Sequence, residues 1–183
     1  MGTGNQTMES AMRAIIILTA FMYALCFGQL QGTIPNFQTL TIENEPGLTR
    51  DNLKEKAKKA GAKRIALSFF ATWCVNCVEE FALLKKNADE LQKNGVQVYL
   101  INVGESVHKD GEKVSDMVNK YAGNTFPLYF DPNGNLLRKS GFLQKDGRFS
   151  LPLIIVLDPD LQVLSVLSAV SKEDFPQILW SKL

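Results

Sequence analysis

Two thiols three residues apart, Cys74 and Cys77 in Trp73-Cys74-Val75-Asn76-Cys77, carry the clearest chemistry in this chain. Such a pair can be half of a zinc site, a structural bridge or a redox dithiol. Zinc takes four ligands, mostly cysteine and histidine. Beyond the pair the chain offers only Cys26 and one histidine, His108, so a zinc site would have to recruit carboxylates. A bridge that closes so short a loop removes little chain entropy and makes a poor staple. The redox reading places a demand on position, because the attacking thiolate has to be stabilised. The first turn of a helix has free backbone N–H groups and the positive end of the helix dipole. A thiol there has its pKa lowered from about 8.5 toward neutral. Cys74 at such a helix start is read as the attacking thiolate. Cys77, one turn deeper on the same face, is read as the resolving thiol. Cys74 attacks a partner disulfide to give a mixed disulfide, and Cys77 then attacks Cys74 and releases the reduced partner.

The flanking pattern supplies the strand and helix this needs. Arg64–Phe70 (RIALSFF) is nearly all apolar after its first residue, which suits a strand buried on both faces. Residues 75–93 show helical spacing, with Val78, Phe81, Leu84, Ala88 and Leu91 on one side. Gly95 ends that helix, Val96–Val103 forms a second buried strand, and Lys113–Tyr121 a further helix. Upstream, Phe37–Ile42 is β-like, and Thr49 caps a helix that runs through Lys59 and stops at Gly61. Downstream, residues 126–130 are extended, Asp131-Pro132-Asn133-Gly134 is a turn, and Leu153–Leu157 is an apolar strand. Gln162–Ala169 returns as its hairpin partner, and Ser171 caps a last helix ending at Trp180. Alternating strands and helices predict an α/β fold with parallel strands and helices on both faces, edged by an antiparallel hairpin.

With 183 residues, 45% hydrophobic and 21% charged, the chain is one globular domain plus a short extra segment. A net charge of +1 gives no field that would favour nucleic acid. The extra segment is the N-terminus, where residues 14–27 (AIIILTAFMYALCF) form an apolar run behind Arg13. A spanning helix needs about 20 apolar residues, so this run fits the core of a secretory signal peptide. The expectation is a leader over residues 1–28, cleaved after Gly28 or kept as a membrane anchor, followed by one domain over residues 29–183. Export would put Cys74 and Cys77 where a disulfide persists.

FFATWCVNCVEEF resembles the active-site segment of the thioredoxin superfamily, and most of all its exported TlpA/ResA branch. The resemblance runs from about Phe37 to the C-terminus and includes FPLYFDPNG at 126–134. It implies a thioredoxin-like fold, a central mixed sheet with helices on both faces and a βα insertion. It also implies a cis-proline facing the cysteine pair, matched by Leu151-Pro152. Ser150 and Leu151 would then pair with the incoming chain like an added strand. Trp73, directly before Cys74, reads as a rim residue shielding the pair; the alternative is a core position. Glu80 matches a glutamate of the branch and is a candidate proton relay for Cys77, beside water; the alternative is a solvated helix carboxylate. The chain departs from the family in four places. Ser68 replaces a buried aspartate of minimal thioredoxins, Asn76 replaces a proline before the second cysteine, and Ala82 replaces a helix proline. The proline segment reads SLPLI.

The resemblance implies a thiol–disulfide oxidoreductase outside the cytoplasm that uses no cofactor and reduces exported protein disulfides, apocytochrome c among them. A reductase there needs electrons, which implies a membrane-embedded thiol donor. Val75-Asn76 offers no positive charge to hold a thiolate strongly, so the expected potential is intermediate or reducing. Two other uses of the same cysteines stay open. One is Cu(I) binding by a thioredoxin-fold metallochaperone; the other is peroxide reduction. His108, in the polar stretch GESVHKDG, reads as a surface residue, and Lys54, Lys56, Lys58 and Lys59 read as a solvated helix face.

Overall fold

A computed structural model describes residues 32–142, 149–168 and 177–180. The expected leader lies outside the described residues, as does most of the expected last helix. Of that helix, only a 3-10 turn at Gln177–Leu179 is seen. No helix among the described residues is long and apolar enough to cross a membrane.

The elements follow the chain as β1 (Gln38–Leu40), β2 (Pro46–Thr49), α1 (Arg50–Lys59), β3 (Arg64–Phe70), α2 (Val75–Lys86) and α3 (Ala88–Lys93). Then come β4 (Val96–Val103), α4 (Val107–Tyr121), β5 (Leu128–Asp131), α5 (Asn135–Lys139), β6 (Leu153–Leu157) and β7 (Val163–Ser168). The strands form one mixed sheet in the order β2-β1-β5-β4-β3-β6-β7. Its centre is parallel, with β3 beside β4 and β4 beside β5. β6 runs antiparallel to β3, β7 to β6, and β1 to both β2 and β5. The pair α4–β5 is the insertion the resemblance implies.

β3, β4 and β6 occupy the predicted residues, because continuous apolar runs are stable only where both faces are covered. One face packs Ala66, Phe70, Val98 and Leu100 against Phe81 and Leu84 of α2 and Val114 and Val118 of α4. The other packs Ile65, Leu67, Phe69 and Ile101 against Leu53 of α1 and Leu136 and Leu137 of α5. Capping fixes the ends of α1. The Thr49 hydroxyl accepts from the Asn52 amide at 3.2 Å, and the Asn52 side chain accepts from the Thr49 amide at 2.8 Å. Gly61 follows at φ +62°, a conformation glycine adopts without strain.

The helix expected over 75–93 is two. α2 runs unbroken through Ala82 and stops at Asn87, whose backbone is non-helical (φ −110°, ψ 17°) and whose side chain donates to the Leu83 carbonyl at 2.7 Å. α4 starts six residues before the expected Lys113, so His108 sits in a helical first turn and not in a loop. β2 and α5 were not anticipated.

Candidate functional site

The site grows from the C-terminal end of β3. The strand stops at Phe70, and Ala71-Thr72-Trp73-Cys74 makes a turn in which the Cys74 amide donates to the Ala71 carbonyl at 3.0 Å. Cys74 is the N-cap of α2 and takes extended backbone there (φ −86°, ψ 98°). Its sulfur accepts from the Cys77 amide at 3.2 Å. A sulfur thus occupies the place where a serine or aspartate oxygen usually caps a helix. Cys74 and Cys77 are joined as a disulfide, with Cα atoms 5.4 Å apart. Cys74 keeps 5% of its surface and Cys77 none. Trp73 and Val75, on either side of Cys74, are 64% and 79% exposed, an apolar rim around a nearly buried sulfur. Phe70 and Phe81 meet edge to face at 4.8 Å and seat α2 on β3.

The predicted partners of the pair converge on the same end of the sheet. The Leu151–Pro152 peptide is cis. Leu153, the next residue, lies opposite Phe69, so Pro152 falls at the level of the last residues of β3, where the cysteine turn begins. Ser150 is exposed, Leu151 half-buried and Pro152 buried. Leu151 packs against the core that contains both cysteines.

Glu80 is not the solvated carboxylate that was the alternative. One turn beyond Cys77 on α2, it is 5% exposed. Ser68, on the neighbouring strand, donates to its Oε1 at 2.5 Å, and its Oε2 is buried without a hydrogen-bond partner among the described residues. Loss of solvent raises the Glu80 pKa to about 7, partly countered by the Ser68 hydroxyl. The serine that departs from minimal thioredoxins and the glutamate on the helix therefore form one buried unit.

Sequence reasoning missed a second carboxylate. Glu105 accepts from the Thr72 amide at 2.8 Å, from the Thr72 hydroxyl, and from the Asn102 side chain at 2.6 Å. The available signal was Asn102, a polar residue in the otherwise apolar end of β4, three residues before an acid. His108 is exposed in the first turn of α4. Lys54 pairs with Asp160 at 2.9 Å on the surface, and such exposed pairs contribute little. Among the described residues no group of three or more His, Cys, Asp or Glu could hold a metal ion.

Comparison with known proteins places this geometry. Thiol-disulfide oxidoreductase ResA of Geobacillus thermodenitrificans is 30% identical over 123 residues, 65% of this chain and 63% of that protein. The ResA of Bacillus subtilis is 26% identical over 111 residues, 61% of this chain and 56% of that protein. The chain thus matches less than two thirds of the length of these curated relatives. Among solved structures, a thioredoxin family thiol:disulfide interchange protein from Chlorobium tepidum TLS superposes with a TM-score of 0.58 at 23% identity, covering 81% of this chain and 94% of that one. A thioredoxin-like protein from Aeropyrum pernix gives 0.58 at 18% identity, covering 91% and 98%. The fold is thioredoxin-like. The AhpC/TSA family pattern matches residues 32–166, the greater part of the chain, and the chain belongs to that family.

Proposed function

We propose that this chain is a thiol–disulfide oxidoreductase that works outside the cytoplasm and reduces disulfides in exported proteins. The observation that carries the reading is the Cys74–Cys77 bridge at the start of α2, with the Cys77 amide on the Cys74 sulfur. In the reduced protein that amide and the helix dipole would stabilise negative charge on Cys74. Cys74 attacks one sulfur of the partner disulfide, and the other sulfur leaves as a thiolate. Cys77 then loses its proton and attacks Cys74, which reforms the internal bridge and frees the second partner thiol.

Glu80 is the acceptor we assign to the Cys77 proton. It lies one turn away on the same helix, with a pKa raised to about 7 and one oxygen that has no partner among the described residues. Trp73, Ser150, Leu151 and Pro152 receive the partner chain at the rim. The likeness to ResA supports this class of chemistry. The apolar segment at residues 14–27 supports export, with the segment removed or kept as a tether. Electrons would come from a membrane-embedded thiol donor, and apocytochrome c is a candidate substrate. The test is a redox titration with thiol trapping. A two-electron midpoint below about −220 mV supports a reductase, and one near about −120 mV overturns it.

A further inference from the structure

Trp73 presents a difficulty. It is 64% exposed, so burial does little to hold this outer corner of the turn, although Ala71 and Cys74 at the turn's ends are buried. Yet an attacking sulfur has to be aimed, and fixing flexible backbone costs conformational entropy. The Cys74 amide donates to the Ala71 carbonyl, a bond that spans the outer corner of the turn, Thr72-Trp73, without engaging it. Glu105 supplies support there from the loop just past β4. Both of its carboxylate oxygens engage Thr72, one taking the amide and the other the hydroxyl. Asn102, fully buried, donates to the oxygen that takes the amide. Glu105 is aimed back at the turn because Gly104, just past β4, takes φ +76° and its amide donates to the Asp131 carbonyl at 3.2 Å. The fork therefore ties the corner of the cysteine turn to the rigid centre of the sheet.

We propose that Glu105 is a positioning residue of the dithiol site: its fork on Thr72 holds the turn from which Trp73 and Cys74 meet a protein disulfide. The inference rests on the reading of Cys74 as the attacking sulfur. A large partner has to be met in one geometry, whereas a small electrophile can follow a wandering sulfur. Loss of the fork should therefore slow attack on a protein disulfide more than alkylation. The expected drop in the ratio of the two rates is roughly tenfold, since misplacement by about 1 Å can cost about a hundredfold.

The test uses the reduced protein. Single-turnover reduction of insulin and the rate of iodoacetamide labelling are measured for wild type, Glu105→Ala, Glu105→Gln and Thr72→Val, each well below its melting temperature. Glu105→Ala should lower the insulin-to-iodoacetamide ratio roughly tenfold. Glu105→Gln should restore it to within about twofold, because the carboxamide oxygen can take the Thr72 amide and Asn102 while its NH₂ donates to the Thr72 hydroxyl. Thr72→Val removes one arm of the fork from the other side and should lower the ratio by about threefold. An unchanged ratio in both Glu105→Ala and Thr72→Val overturns the proposal, as does a Gln variant no better than Ala. Peptide mapping of the labelled wild type separates the two layers. Labelling at Cys77 before Cys74 overturns the reading of the attacking sulfur, and the inference falls with it.

Discussion

On β3, Ile65, Leu67 and Phe69 turn toward α1 and α5, while Ala66, Ser68 and Phe70 turn toward α2 and α4. One strand thus serves two faces that treat buried polarity differently. On the α1–α5 face the buried side chains of Thr39 and Asp131 are hydrogen-bonded. The Thr39 hydroxyl takes the Leu48 amide at 2.8 Å and gives to the Leu48 carbonyl at 3.3 Å. Asp131 uses both carboxylate oxygens on the first amides of α5, at 2.9 and 2.8 Å. On the α2–α4 face, Glu80 Oε2 and Asn102 Oδ1 are buried without hydrogen-bond partners among the described residues. An unsatisfied buried acceptor costs roughly 1–3 kcal/mol, so these two oxygens lower stability on the second face. The cysteines belong to the face with the unsatisfied groups. Both sides of the sheet carry a core, and the second also keeps a buried carboxyl group whose pKa burial raises to about 7.

The sharpest way to break this division is to remove the sulfurs. Cys74→Ser should bring disulfide exchange to background in a single-turnover insulin assay, with the fold intact by circular dichroism. Cys77→Ser should instead accumulate the mixed disulfide, visible as a covalent adduct on a non-reducing gel. The converse disruption is Leu67→Ala on the opposite face, where the side chain is fully buried. It should cost about 2–5 kcal/mol in urea unfolding yet leave the exchange rate of the folded protein near wild type. A large loss of rate at low temperature would show that the two faces are not separable.

Glu80→Gln tests the same division by charge. Burial raises the Glu80 pKa from 4.5 to about 7, so the folded state holds a proton that the unfolded chain releases. The stability this contributes is fully present below about pH 4.5 and is lost as pH rises through about 7. Relative to wild type, Glu80→Gln should therefore gain stability over that window, by about 3 kcal/mol at pH 8 and by little at pH 4.5. Urea titrations at the two values read the difference. The same variant should slow closure of the mixed disulfide by about a hundredfold, because Cys77 loses its proton acceptor. A variant that is more stable but slower would locate the cost of function in one carboxyl group.

How much of this was legible in the chain depended on whether a signal was local. The cysteine pair lies within four residues of sequence, and β3, β4 and β6 are unbroken apolar runs; both could be read directly. The start of α4 was hidden by a glycine. Its buried stripe is Val107, Gly111, Val114 and Val118, and Gly111 breaks the apolar periodicity because Ile42 packs where a Cβ would be, 3.0 Å away. β2 begins at Pro46, which suits a loop by composition and is tolerated in a strand at the sheet edge. α5 spans five residues and takes its N-terminal acceptors from Asp131, four residues before its first residue. The site's carboxylates are long-range products. Glu80 is buried through Ser68, twelve positions away, and Glu105 reaches Thr72 across thirty-three. Side-chain spacing within one element carries no trace of such contacts.

The smallest expected effect is the most discriminating about the two faces. Burial raises the Asp131 pKa, as it does that of Glu80, but here two backbone amides and the nearby Arg138 and Lys139 pull against it. The sign is therefore the same and the size smaller. Stability contributed by Asp131 is present at acid pH and declines as pH rises through its folded value. Asp131→Ala should cost about 1 kcal/mol at neutral pH, because the first amides of α5 lose their acceptor. Asp131→Asn keeps one acceptor oxygen and removes the buried charge, and it should lie closer to wild type than the alanine variant. Relative to wild type it should rise slightly with pH, by much less than Glu80→Gln does. Two carboxyl groups raised by the same cause would then differ by the number of donors that meet them. If Asp131→Asn matched Glu80→Gln in its pH response, saturation by donors would not be what separates the quiet face from the reactive one.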